Sequence, residues 1–202
     1  MPFRKRDKPL VYAVAGWSGY FVMALELLAG RLLAPYFGTG IYVWGGVITL
    51  FMIALALGYL LGGRLSVAQP RVRVLGALLL VAAAAALPIV AFGDDTLKAI
   101  FEHISDPRYG SLAACGALFF LPTLLSGTVP PYAIRLLVSD TQRTGLSAGW
   151  LWFVSTFGSA AGTIVTSFYL VLLLELNQII LLMLAVSTVL GIVCLIAGDR
   201  RS

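Results

Sequence analysis

Val74-Leu75-Gly76-Ala77-Leu78-Leu79-Leu80-Val81-Ala82-Ala83-Ala84-Ala85-Ala86-Leu87-Pro88-Ile89-Val90-Ala91-Phe92 runs without one charged or amide side chain. At about 1.5 Å per residue, such a run coiled as a helix crosses the ~30 Å hydrocarbon core of a bilayer. Five further runs of the same character flank it, at about 9–30, 41–63, 110–127, 148–173 and 178–197. The expected fold is therefore an all-α integral membrane protein, a bundle of six transmembrane helices forming one membrane domain over 1–202. Composition agrees: 60% of the residues are hydrophobic and 11% charged, where a soluble domain carries about a quarter charged. Six spans use up almost the whole chain and leave no room for a separate soluble domain. The first run is longer than a signal-peptide core and no small-x-small cleavage site follows it, so it reads as a retained span.

The formal charge of +5 comes from 14 Lys and Arg against 9 Asp and Glu. Six spans put both termini on one side. Assigning that side to the cytoplasm places Arg4, Lys5, Arg6, Lys8, Arg64, Arg71, Arg73, Arg135, Arg143, Arg200 and Arg201 inside and leaves Arg31, Lys98 and Arg108 outside. This is the positive-inside pattern, and it predicts a multi-pass protein of the cell (inner) membrane with cytoplasmic termini. The surplus charge is thereby explained by the lipid bilayer as partner, and no nucleic acid need be invoked. Cys115 and Cys194 lie in apolar runs without a CxxC spacing, so neither a disulfide framework nor a zinc site is indicated.

The longest outer connection, from Asp94 to Tyr109, places Leu97, Ile100, Phe101 and Ile104 at helical spacing behind Asp94 and Asp95. That pattern predicts a short interfacial helix over about 94–105 with an acidic N-terminus. Pro122 sits inside the fourth run, and Pro130-Pro131 follow Gly127, so this helix is expected to kink and then break before Tyr132. Leu27-Leu28-Ala29-Gly30 leading to Pro35-Tyr36 is matched by Leu124-Leu125-Ser126-Gly127 leading to Pro131-Tyr132. If the match is a repeat, the chain divides into two three-span units, the second inverted relative to the first, as in half of a major-facilitator transporter.

Glu26 is the one acidic residue well inside a run, about 6 Å from the expected outer end of the first helix. A carboxylate there is costly unless paired, neutralised or facing water, which makes it a candidate cation site. Arg31, five residues on, is turned about 140° away around the helix and is a poor partner for it. Trp17 and Tyr20 share that helix and are candidate aromatic faces for a cation, while Trp44, Trp150 and Trp152 sit where aromatic belts are expected. On the fifth run Ser155, Ser159, Thr163 and Ser167 recur every four residues beside Thr156, Gly158, Gly162 and Thr166. Ala54, Gly58 and Gly62 make a similar stripe on the second. Small residues at this spacing let helices pack closely; Ser155, Ser159 and Thr163 can also line a solute path. Tyr132, just past the proline pair, completes the candidate set. The sequence contains no Walker loop, zinc-ligand cluster, nucleophile-His-acid set or dinucleotide fingerprint, so no catalytic residue, metal or cofactor is assigned.

Residues 25–38, Leu-Glu-Leu-Leu-Ala-Gly-Arg-Leu-Leu-Ala-Pro-Tyr-Phe-Gly, with Tyr42-Val43-Trp44-Gly45 and Leu57-Gly58-Tyr59-Leu60-Leu61-Gly62-Gly63-Arg64, resemble the start of the membrane region in the fused major-facilitator/spermidine-synthase-like family. Pro131-Tyr132-Ala133-Ile134-Arg135-Leu136 and the Gly149, Ser155-Thr156, Gly158-Ser159, Gly162-Thr163 series resemble that region's later helices. The fused members continue into an aminopropyltransferase-like domain. None of the residues that perform aminopropyl transfer stands here, so that activity is not carried over. The resemblance implies a half-transporter-like module that handles a polyamine or related solute, or that holds a separately encoded synthase-like enzyme at the membrane. The leading expectation is a transporter-like protein for a small cationic solute, working as a homodimer or with a partner. A scaffold that recruits a synthase-like enzyme through its basic loops is the alternative, and an intramembrane enzyme acting on lipid-linked substrates through Glu26 and Arg31 is the third.

Overall fold

A computed structural model describes residues 8–67, 70–138 and 144–199. Arg4, Lys5, Arg6, Asp7, Arg143, Arg200 and Arg201, which weigh in the charge argument, lie outside the described residues. The described chain is helical and without strands: α1 (Lys8–Phe37), α2 (Ile41–Leu65), α3 (Val72–His103), α4 (Pro107–Gly127), α5 (Val129–Leu137), α6 (Thr144–Val165), α7 (Val171–Leu173) and α8 (Leu176–Asp199), with a π-helical turn at Thr166–Leu170 between α6 and α7. Six segments are long and apolar enough to cross a membrane, with α4 and α5 together forming the fourth and α6 to α7 the fifth. The protein is an all-α, six-helix, multi-pass membrane bundle.

Helix α1 runs past Gly30, the expected end, to Phe37. Gly30 continues the helix because its bare face lies against the Trp44 ring of α2. The chain stops instead at Gly38, whose φ of 79° only glycine adopts freely and whose N–H bonds to the Ala34 carbonyl at 2.9 Å. At the far end of α3 there is no separate interfacial helix over 94–105: α3 continues through Asp94 and Asp95 to His103. Leu97 is fully buried, so the apolar period of the span carries on through the acidic pair. Asp94 accepts a 2.6 Å hydrogen bond from the Tyr36 hydroxyl, fastening that extension to α1. The expected break after Gly127 is confined to Thr128, where the hydroxyl and N–H both bond back to Leu125 O and the prolines then start α5. Thr128 is buried against Gly62 of α2, so protein and not a cavity covers the freed backbone.

Helix α1 is central, touching every other span. It packs most extensively on α6, while α2 packs on α4 and α3 on α8. All three pairings close through glycine, α3 on α8 through Gly76 against Gly191. Gly158 and Gly162 of α6 lie on the backbone of Gly16 and Tyr20 of α1, and Gly58 and Gly62 of α2 lie on Leu124, Gly127 and Thr128. A side chain larger than hydrogen at these four positions would drive into backbone, which is how Gly-xxx-Gly seams bring helices together. Ala54, fully buried, extends the α2 seam.

Candidate functional site around Glu26

The contacts along α1 and α6 fix which side chains share a level. Gly16 meets Gly158, Gly19 meets Ser155 and Ser159, Tyr20 meets Gly162, and near the far end the Arg31 guanidinium donates to Val171 O at 3.4 Å. The two helices are therefore parallel with a nearly constant offset, and Glu26 is level with the π-helical turn of Thr166–Leu170. Because α1 extends to Phe37, Glu26 lies eleven residues, or about 16 Å, from its end. This is deeper along the helix than the ~6 Å expected from a helix ending at Gly30.

Seven residues are close to two helical turns, so Glu26 shares a face of α1 with Gly19, which abuts the Ser159 hydroxyl. Gly30, one turn above Glu26, abuts Trp44 of α2. The carboxylate thus lies on the side of α1 flanked by α6 and α2. It is half-buried and has no hydrogen bond or ion pair among the described residues. Toward the other end, α2 and α6 meet directly at Tyr59 and Trp152, whose rings stand edge-to-face at 6.1 Å.

The hydroxyl stripe of α6 is hydrogen-bonded within its own helix. Ser159 donates to Ser155 O at 3.1 Å, Thr163 to Ser159 O at 3.0 Å and Ser167 to Thr163 O at 2.6 Å. Each hydroxyl proton is committed, so the oxygens have only acceptor lone pairs left to offer. Ser155 and Thr166 are buried, Ser159 and Thr163 half-buried and Ser167 exposed. The stripe serves packing through Gly158 and Gly162 and offers acceptors along its edge.

Several expected site residues are not brought to Glu26. Trp17 points to the opposite side of α1, where its indole N–H donates to Ser187 Oγ of α8 at 2.8 Å and its ring stacks on Tyr20 at 5.0 Å. Nine residues separate Trp17 from Glu26, and nine residues turn an ideal helix by half a revolution; a helical wheel carries this signal. Arg31 is exposed and held by Val171 O, with no contact to the carboxylate. Tyr132 is buried at the end of the bundle where α1 begins, its hydroxyl accepting from the Arg71 N–H at 2.9 Å. Two buried hydroxyls, Thr123 of α4 and Thr166 at the start of the π turn, have no partner. Thr123 gave no sequence signal beyond its place after Pro122. Among the described residues no cluster of His, Cys, Asp and Glu is suited to a metal.

Comparison with known proteins finds no match to the chain among family models, curated proteins or solved structures.

Proposed function

We propose that the protein is a transporter-like membrane protein that binds or moves a small organic cation, such as a polyamine, with Glu26 as its charge partner. The observation that carries this reading is a half-buried carboxylate inside a membrane helix with no hydrogen bond or ion pair among the described residues. An intramembrane charge held without a partner is costly, and the default account of it is a functional site. Two further features support the same chemistry. The hydroxyls of Ser159, Thr163 and Ser167 have spent their protons on their own helix and present acceptors, which suit the N–H donors of an ammonium group and repel an anion. The π-helical turn, a feature frequent at functional sites, stands level with Glu26.

Helix pairing supports a half-transporter architecture with an inverted repeat. Exchanging the first three spans for the last three carries the pair α1–α6 onto the pair α4–α2 and leaves α3–α8 in place, and both exchanged pairs are parallel and glycine-closed. A half-transporter needs a second half, and a homodimer is the simplest one. The basic residues at the end where α1 begins support a cytoplasmic side for that end by the positive-inside rule, in an inner membrane. A second reading, a scaffold for a separately encoded synthase-like enzyme, is favoured by Arg64, Arg71 and Arg135, all exposed at that same end.

The test is uptake of labelled putrescine and spermidine into proteoliposomes holding the wild type, Glu26→Gln or no protein. Saturable uptake that disappears in the variant supports the reading. Uptake equal to empty vesicles in every sample removes it, and capture of a synthase-like partner by the wild type, lost when the three arginines become Gln, then supports the scaffold.

A further inference from the structure

Thr166 is the exception in the hydroxyl ladder of α6. Ser159, Thr163 and Ser167 each donate to the carbonyl four residues back. The Thr166 hydroxyl, in a residue with no exposed surface, has no partner among the described residues. Its direction follows from helical angle. Thr166 lies about 40° to one side of Gly162, which rests on Tyr20 of α1, and about 40° to the opposite side of Trp152, whose ring meets Tyr59 of α2. It therefore points between α1 and α2. Glu26 points into the same junction from α1, about 20° from Gly19, which abuts Ser159 of α6, and about 40° from Gly30, which abuts Trp44 of α2. The parallel run of α1 and α6 sets the two side chains at one level.

The junction of α1, α2 and α6 thus holds a carboxylate and a fully buried hydroxyl, and neither has a partner among the described residues. Two further oxygens stand at nearly the same level. The half-buried Thr163 hydroxyl keeps its lone pairs because its proton is spent on Ser159 O. In the π turn the Val171 N–H reaches back five residues to Thr166 O, and a carbonyl is skipped where four-residue pairing resumes. A donor set of oxygens alone suits a hard cation, and ligation of this kind needs no His, Cys or second acidic residue. The single carboxylate balances a monovalent ion, whereas a divalent one would leave net charge inside the bilayer. We propose that Glu26 and Thr166 hold one Na+ at this junction, the carboxylate supplying the charge and the Thr166 oxygen a neutral ligand. A proton would also neutralise Glu26 but leaves the Thr166 hydroxyl unused. The proposal rests on the reading of Glu26 as a cation site and extends it: one carboxylate neutralises one cation at a time, so Na+ and an ammonium group exclude each other there.

The experiment titrates radioactive Na+ onto the purified protein in detergent and reads bound label. Saturable binding is expected in the wild type and none in Glu26→Gln. Thr166→Val should weaken binding about tenfold or more, as loss of a contact to a charged group does, and Thr166→Ser, which keeps the oxygen, should bind like the wild type. Thermal melts of the same samples show that the variants are folded, and Na+ should raise the melting temperature of the wild type but not of Glu26→Gln. Absence of saturable Na+ binding in the wild type overturns the proposal and is the result that a proton alone at Glu26 predicts. Equal affinity in the wild type and Thr166→Val overturns it as well. Putrescine is then added to the Na+-loaded wild type, and displacement of the label is expected. Na+ that is bound through Glu26 and Thr166 but not displaced supports the Na+ site and removes the organic-cation reading. Uptake of putrescine by a protein that binds no Na+ does the reverse.

Discussion

Trp17 and Glu26 stand on opposite sides of α1, half a revolution apart, so one helix serves two different surfaces. The indole is tied to Ser187 of α8, and the carboxylate faces the side of α2 and α6 with no partner among the described residues. Substitutions at the two positions should therefore separate. Trp17→Phe leaves the buried Ser187 hydroxyl without its donor and should cost about 1–3 kcal/mol of stability, with solute binding intact. Glu26→Gln breaks no hydrogen bond and no ion pair among the described residues, so thermal unfolding in detergent should stay the same or move upward, because a half-buried charge is removed. A fall of several degrees in Glu26→Gln would reveal a protein partner and remove the basis for a ligand-facing carboxylate.

Gly62 and Gly63 are adjacent in sequence and opposite in environment. A methyl at Gly62 would strike the Thr128 backbone, whereas nothing lies within 4 Å of one at Gly63. Gly62→Ala should destabilise by about 1–3 kcal/mol through forced separation of α2 from α4. Gly63→Ala should stabilise by up to about 1 kcal/mol through helix propensity. Matched thermal melts of the two variants check the seam directly, and equal melts would mean that α2 and α4 are not in backbone contact there.

The buried hydroxyl of Thr166 has no partner at the first residue of the π turn. Thr166→Val keeps the shape and removes an unsatisfied polar group, so it should be neutral or stabilising by about 1–2 kcal/mol in the empty protein. If solute binding falls in this variant while stability rises, the hydroxyl is used by the ligand. A loss of stability without ligand would show that the hydroxyl is bonded in the bilayer.

Tyr132→Phe removes the acceptor for the Arg71 N–H. Arg71 is exposed and water can replace the phenol, so the global cost should be about 0.5–1.5 kcal/mol. Hydrogen exchange should accelerate at the start of α3 and stay unchanged around Glu26, about five helical turns along α1 from the end where Tyr132 lies. Faster exchange near Glu26 would contradict this purely local role.

The spans were legible because uncharged runs of about twenty residues have no soluble alternative, and the glycine stripes of α2 and α6 were legible as packing seams from spacing alone. Helix ends were less so. Gly30 looks like a stop but is a contact for Trp44, and Asp94-Asp95 look like a helix start but sit mid-helix because Leu97 keeps the buried period. Pairing was not legible, since one apolar helix surface resembles another and only the glycine registers distinguish α1–α6 from its alternatives. For the site, Glu26 stood out as an intramembrane carboxylate, and its separation from Arg31 followed from helical angle. The same arithmetic applied to Trp17 separates it from Glu26. The π turn left no mark in the sequence, because its single inserted residue is set by packing.

The seam between Gly16 and Gly158 joins residues far apart in the order of synthesis. At roughly 5–20 residues per second, α6 follows the start of α1 out of the ribosome by about 7–27 s. During that interval the small-residue face of α1 is in the bilayer with no glycine partner, while α2 can already close on α4. Assembly of this protein therefore has a fixed sequence in time: an inner pair forms early, and the first helix made is among the last to be covered.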